Sequence, residues 1–191
     1  MEKKVLAFDF GASGGRAMCG TFDGEKITIE ELHRFSNDPV ILNGTMYWDV
    51  LRLFFEIKQG LIKAKKCGKI ESIGIDTWGV DFGLIDSEGR LLENPVHYRD
   101  SRTEGMLAES FKMIDKQRFY EITGNQFMEI NTAFQLLYLL KNRKELLDRA
   151  DKMILMPDLF NYFLTGRKKQ SIRTHLQRSF LTREKESGQM R

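Results

Sequence analysis

A chain of 191 residues with 41% hydrophobic and 30% charged residues can bury one respectable core, and its composition excludes a disordered polymer. No apolar run reaches the roughly 20 residues that span a bilayer, and the apolar part of MEKKVLAFDF is too short for a secretory leader, so a cytoplasmic protein with no membrane partner is expected. The net charge of +3 is uneven: residues 167–191 carry eight Lys/Arg against two Asp/Glu, a local +6, but lack the aromatic interleaving of a nucleic-acid arm, so no nucleic-acid partner is expected.

Val5 to Phe10 is a short apolar run of strand type, and Arg16 to Phe22 alternates as a second strand. Asp23-Gly24 signals a hairpin, and Lys26 to Phe35 reads as a third, less clean strand, which makes three consecutive antiparallel strands. Asp49 is a plausible N-cap for an amphipathic helix through Leu51, Phe54, Phe55, Leu61 and Ile62, ending near Gly68. Ile70 to Asp76 and Val80 to Ile85 are strand-like, closed by the turn Asp86-Ser87-Glu88-Gly89, and their addition makes the sheet mixed. From Thr103 the character is helical, with Met106, Leu107, Phe111 and Ile114 on one face and Phe134, Leu137, Tyr138 and Lys141 on another. Lys152 to Met156 returns to strand, and Pro157-Asp158 starts a short helix that ends at Thr165-Gly166. Asp158 reads as its N-cap, and Phe134, Leu137, Leu140, Phe160 and Phe163 as core. Beyond Gly166 the apolar periodicity stops. Cys19 and Cys67 have neither CxxC nor Cys/His spacing, which argues against a disulfide framework or a zinc site and for a reducing compartment; His33 and His97 have no metal or triad partner at an interpretable spacing, and His175 lies in the basic tail.

The stretch FDFGASGGR, Phe8 to Arg16, combines a glycine turn whose amides can converge on an anion with an acidic residue, Asp9, at a strand end. Neither Walker A nor GxGxxG fits it, because Gly11 is followed five positions later by Arg16 and the chain continues as strand rather than helix. Two readings stay open. One is a plain hairpin turn. The other is a β-hairpin phosphate clamp in which Ala12, Ser13, Gly14 and Gly15 offer amides and a hydroxyl, while Arg16 offers its guanidinium or points outward.

Asp76, Trp78, Gly79 and Asp81 span a strand end, a turn and the next strand. Carboxylates, an indole face and a glycine suit a polyol, whose hydroxyls want hydrogen bonds and whose C–H face packs on aromatics. The structural alternative has Asp76 and Asp81 capping the turn and Trp78 filling the core. Tyr98-Arg99-Asp100-Ser101-Arg102 is equally two-sided: Arg99 contacts a sugar, or an Arg–Asp network orients the loop.

DFGAS at Asp9 to Ser13, SIGIDTWGVDF at Ser72 to Phe82 and YRDSR at Tyr98 to Arg102 resemble the FGGY-type carbohydrate kinases of the actin/hexokinase/Hsp70-like ATPase superfamily. HRF at His33 to Phe35, Asn43-Gly44, WDV at Trp48 to Val50 and LMPDLFNYFLTG at Leu155 to Gly166 are similar to the rhamnulokinase branch of that family. The resemblance implies an α/β, actin-like or ribonuclease H-like domain, a mixed sheet flanked by helices. It also implies ATP and Mg2+ as cofactors, and transfer of the ATP γ-phosphoryl group to L-rhamnulose to give L-rhamnulose 1-phosphate. By the same resemblance Ala12, Ser13, Gly14, Gly15 and Arg16 approach the nucleotide, Asp9 meets the metal through water, and Gly79, Asp76, Trp78 and Arg99 meet the sugar. Gly79 is the clearest sugar position, with room for the methyl end of the ketose.

The family's general-base aspartate lies further along than the matched stretches reach, so no catalytic residue is assigned. Residues 1–166 are expected to be an incomplete N-terminal kinase domain, with no second domain, and 167–191 a basic tail that does not match the family, either disordered or the product of a truncated or frame-shifted reading. A chain inactive by itself is the expectation. The alternatives are a non-catalytic sugar- or partner-binding fragment and a kinase for another ketose such as xylulose or fuculose. Nothing in the sequence specifies an oligomeric state.

Overall fold

Alternation in KKVLAFDF puts Leu6, Phe8 and Phe10 on one face of β1 (Lys3–Phe10), and that face is 1–2% exposed in a computed structural model that describes residues 2–169. Strands β2 (Gly14–Phe22) and β3 (Ile27–Ser36) follow as antiparallel neighbours, as expected. The imperfect alternation of the third strand has a physical cause: the β2–β3 register shifts between Ala17 and Met18, and Leu32 is the extra residue of a bulge. The bulge brings Leu32 and Phe35 into the core while Ile27 and Ile29 stay exposed.

A ribbon of β4 (Val40–Leu42) and β5 (Thr45–Tyr47) comes next, an element the periodicity did not predict. Asn43 and Gly44 turn it with φ of 51° and 80°, the double left-handed geometry of a type I′ hairpin. Helix α1 (Val50–Ala64) starts where Asp49 accepts a hydrogen bond from the Arg52 amide at 3.0 Å, and it buries Val50, Leu53, Ile57, Gly60 and Ala64. A Cβ at Gly60 would lie 2.5 Å from the Phe8 ring and 2.9 Å from Ala17, so α1 rides directly on the sheet.

Strand β6 (Ser72–Asp76) pairs parallel with β1, completing a mixed sheet of order β3-β2-β1-β6. Strand β7 (Phe82–Ile85) does not join that sheet. All four of its residues are buried, and it pairs antiparallel with a later strand in a separate two-stranded sheet. Between them run α2 (Met106–Phe111), α3 (Lys116–Thr123), α4 (Thr132–Asn142) and α5 (Lys144–Arg149). The partner strand is β8 (Lys152–Leu155), followed at once by α6 (Met156–Thr165).

Two cores result. The larger joins β1, β2, α1 and α6, with Phe10 stacked on Phe160 at 5.0 Å and edge-on to Phe35 at 5.2 Å. Each such ring contributes roughly 1.5–3 kcal/mol by leaving water. The smaller holds Phe82, Leu84 and Leu155 against Leu139 and Leu146. Two sequence expectations fail here. Leu140 is 50% exposed, because Leu139 takes the inward position. Asp158 is the third residue of α6 and not its cap; Leu155 stands at the N-cap, and Gly166 closes the helix in the left-handed conformation. The expected tail is described only as far as Lys169. Lys168 there reaches the Asp86 carbonyl at 3.0 Å and the Asp151 carboxylate at 2.8 Å; His175 and the rest lie outside the described residues.

Candidate phosphate hairpin and sugar wall

The glycine turn joins β1 to β2, and its own hydrogen bond runs from the Gly11 amide to the Gly14 carbonyl at 2.8 Å. Asn37, 2% exposed, grips it from the end of β3. Its side-chain amide donates to the Gly11 carbonyl at 2.8 Å, and its backbone amide to the Ser13 carbonyl at 3.2 Å. The turn is therefore braced by a residue 26 positions away that no local pattern announces. Its glycines also have a reason other than turn conformation. Gly11, Gly14 and Gly15 are absent from the positive-φ set; a Cβ on Gly15 would instead enter the Phe35 ring, and one on Gly14 would stand 3.0 Å from the Phe35 carbonyl. Ala12 and Ser13 form the tip, with Ser13 exposed.

Asp9 and Arg16 face each other across the β1–β2 ladder in an ion pair of 2.5 Å. Asp76 is the next carboxylate in that row, because the parallel register sets Asp9 against Asp76. Since β1 and β6 run parallel, their carboxyl ends coincide, and the loops that follow them emerge on the same side of the sheet. In open α/β sheets this end is where ligands bind. Topology thus places the glycine hairpin beside the Trp78–Asp81 turn.

That turn rests on a buried aromatic and polar cluster. Trp78 stacks on the fully buried Trp48 at 3.8 Å, and Trp48 stacks on His97 at 3.9 Å. Both indole N–H groups donate to Oδ2 of Asp81, at 2.6 Å from Trp48 and 3.0 Å from Trp78. The Tyr98 amide adds a third bond to Oδ2 at 3.2 Å, and the Gln135 side chain donates to Oδ1 at 2.9 Å. Arg102 in turn donates to Gln135 at 2.7 Å. Burial pushes the Asp81 carboxyl up to about 6, outweighing the four donors, and burial with the nearby Arg99 charge pulls His97 down to about 4. Asp81 is thus the hub beneath the wall, in keeping with its structural reading.

Of the expected sugar residues, Asp76 is exposed at the end of β6, while Trp78 and Gly79 are half-buried in the turn. Arg99 is exposed, with its guanidinium over the Tyr98 ring at 5.3 Å and its amide donating to His97 Nδ1 at 2.9 Å. Asp100 serves structure: it accepts from the Met46 and Arg102 amides. Besides Asn37, three residues behind the sugar wall escaped the sequence reading. Val80 has φ of 68°, a strained conformation for a β-branched side chain. Thr132 holds it there, donating to the Val80 carbonyl at 2.7 Å, with Gln135 beside it. The available signal was two polar residues, Thr132 and Gln135, at i and i+3 on the buried side of α4.

With the geometry in view, residues 4–180 match the profile of the FGGY family of carbohydrate kinases, N-terminal domain, a match that continues into the basic segment. The chain is 42% identical over 169 residues to a rhamnulokinase of Oceanobacillus iheyensis, covering 88% of this chain and 36% of that one. It is 43% identical over 165 residues to a rhamnulokinase of Lactiplantibacillus plantarum, covering 86% and 33%. The chain therefore spans about a third of the length of these curated relatives. Among solved structures, a gluconate kinase from Lactobacillus acidophilus superposes with a TM-score of 0.82 at 17% identity, covering 95% of this chain and 37% of that one. The Plasmodium falciparum glycerol kinase with ADP superposes with a TM-score of 0.74 at 18% identity, covering 96% and 38%. These likenesses show the fold, the mixed α/β arrangement of the actin-like ATPases.

Proposed function

The chain belongs to the FGGY family of carbohydrate kinases, and we propose that it supplies the phosphate hairpin and sugar wall of a kinase that transfers the ATP γ-phosphoryl group to L-rhamnulose, giving L-rhamnulose 1-phosphate. The observation that carries this reading is the shared carboxyl end of β1 and β6, which sets the braced Gly11–Gly15 hairpin next to the Trp78–Gly79–Val80 turn. In this reading Ala12 to Gly15 bind phosphate oxygens through backbone amides and the Ser13 hydroxyl. Arg16 is shared between Asp9 and the nucleotide. Trp78 offers its indole face to the C–H side of the ketose, Gly79 leaves space for the methyl end, and Asp76 and Arg99 bond hydroxyls.

Mg2+ would fit here as an ion carried mainly on the phosphates, with Asp9, at the strand end beside the glycine hairpin, as the carboxylate that would hold it through water. The metal would supply charge neutralisation on the transferred group. Phosphoryl transfer also needs a base for the attacking hydroxyl. Asp81 is buried under four donors and Asp9 is held by Arg16, so the reading assigns neither as that base.

The chain by itself should accordingly bind without turning over. Calorimetry with L-rhamnulose, with L-fuculose and D-xylulose as comparators, should give a heat of binding for the first that Gly79→Phe removes, while ADP release stays at the no-sugar background. Rhamnulose-dependent ADP formation at the rate of a full-length relative would sink the claim of inactivity. Absence of binding by both sugar and nucleotide would sink the assignment of the site.

A further inference from the structure

Asn37 reaches the glycine hairpin because of the bulge in β3. Counted straight on from the Met18–Glu31 pair, the ladder would set Ser36 against Ser13. The extra residue Leu32 moves every later pair by one, so Gly14 faces Ser36 and Asn37 arrives beside Ser13. There its backbone amide donates to the Ser13 carbonyl at 3.2 Å and its side-chain amide to the Gly11 carbonyl at 2.8 Å, while the residue stays 2% exposed. A carbonyl only accepts, so the contact with Gly11 needs a donor. A carboxylate of the same shape could not make it, and a lysine would bury a charge. The chemistry of the position selects a neutral carboxamide.

The two carbonyls that Asn37 holds determine where two amides point. In a planar trans peptide the C=O of one residue and the N–H of the next lie on opposite sides of the chain. Drawing the Gly11 and Ser13 carbonyls towards Asn37 therefore turns the Ala12 and Gly14 amides away from it. The backbone hydrogen bonds of the turn run from the Gly11 and Asn37 amides, which leaves the Ala12 amide unpaired among the described residues. We propose that Asn37 is a positioning residue for polyphosphate: its grip on the Gly11 and Ser13 carbonyls aims the Ala12 and Gly14 amides at phosphate oxygens. The proposal rests on the reading of this hairpin as a phosphate clamp and adds the residue that sets its aim. Backbone amides carry only partial charges, so their hold on an anion depends on convergence. Without the side-chain bond the Gly11–Ala12 peptide is free to rotate, and phosphate binding then carries the entropic cost of fixing it.

The experiment titrates the 15N-labelled chain with ATP, with tripolyphosphate, with adenosine as the phosphate-free control, and with L-rhamnulose, following backbone amides by NMR. In the wild type the Ala12 and Gly14 amides should show the largest shifts of the hairpin with ATP and tripolyphosphate, and none with adenosine. Asn37→Ala should weaken ATP at least tenfold and leave the L-rhamnulose affinity within twofold. Asn37→Asp, which keeps the shape and cannot donate, should do the same. ATP affinity and amide shifts in Asn37→Ala equal to those of the wild type would overturn the proposal. So would equal weakening of ATP and sugar, because a residue that only holds the fold together lowers both. A wild-type hairpin whose amides stay still in ATP and tripolyphosphate would remove the phosphate clamp itself, a result distinct from either. If the variants fail to fold, the wild-type map decides: ATP shifts centred on hairpin amides other than Ala12 and Gly14 would sink the proposed aim.

Discussion

At the scale of single residues, the buried pair Asp81 and His97 should give the protein a pH signature that only variants reveal. Asp81 has its folded value raised to about 6 from 3.8, so its contribution to stability is full below the unfolded value and is lost as pH rises through about 6. His97 has its folded value lowered to about 4 from 6.5, so its contribution is full above 6.5 and is lost as pH falls through about 4. Each shift corresponds to about 3 kcal/mol, and the two nearly cancel between pH 4 and 6. Relative to wild type, urea midpoints of His97→Gln should therefore fall as pH rises across that interval, and those of Asp81→Asn should rise. Identical, flat profiles for both variants would show that neither group titrates as its surroundings dictate. Val80 supplies a second residue-scale expectation. Its left-handed backbone costs about 1–2 kcal/mol for an L residue, so Val80→Gly should not lower the unfolding midpoint. If the strain shapes the sugar wall, the same variant should weaken L-rhamnulose binding several-fold in calorimetry; unchanged affinity would make the strain incidental. Neither Val80 nor its clasp by Thr132 was legible in the sequence, because a valine after glycine carries no mark of the φ that a distant hydroxyl imposes.

At the scale of elements, the contact between α1 and the sheet sets how glycine substitutions behave. Propensity alone says that Gly60→Ala in mid-helix should gain about 1 kcal/mol. The added Cβ would stand 2.5 Å from Phe8 and 2.9 Å from Ala17, both buried, and overpacking costs about 1–3 kcal/mol, so the collision wins and the variant should be destabilised. Gly74→Ala on β6 meets nothing within 4 Å and should be neutral or stabilising by up to about 1 kcal/mol. Denaturant midpoints for the two variants check the contrast; equal effects would mean that α1 does not press on the sheet as described. Element existence was well marked by periodicity: the first three strands, α1 with its Asp49 cap, and α6 with its terminal glycine all appear where patterns place them. Element pairing was not. The run from Val80 to Ile85 reads as a strand of the main sheet, yet being apolar on both faces it is satisfied only between two cores, where β8 pairs with it.

At the scale of the whole molecule, the main sheet is covered on one face by α1 and α6 and, among the described residues, open on the other, where Val5, Phe22, Ile27 and Ile29 are 39–68% exposed. An exposed apolar face of this kind should bind a hydrophobic dye in the native state. The double variant Ile27→Lys/Ile29→Lys should lose that signal while its stability changes by less than about 0.5 kcal/mol, as expected for surface positions; dye binding that survives the change would locate the apolar surface elsewhere. By itself the sequence determined the alternation of the strands, the cap and stop of the helices, and the ordered motifs that mark the family, because these depend on neighbours within a few residues. Only the tertiary structure decided that Asn37 braces the glycine hairpin, that Asp81 is a buried hub for two indoles, and that Phe35 demands Gly15. Those relations join residues brought together by sheet register and helix packing, and no local pattern encodes a contact whose partner is supplied by another element.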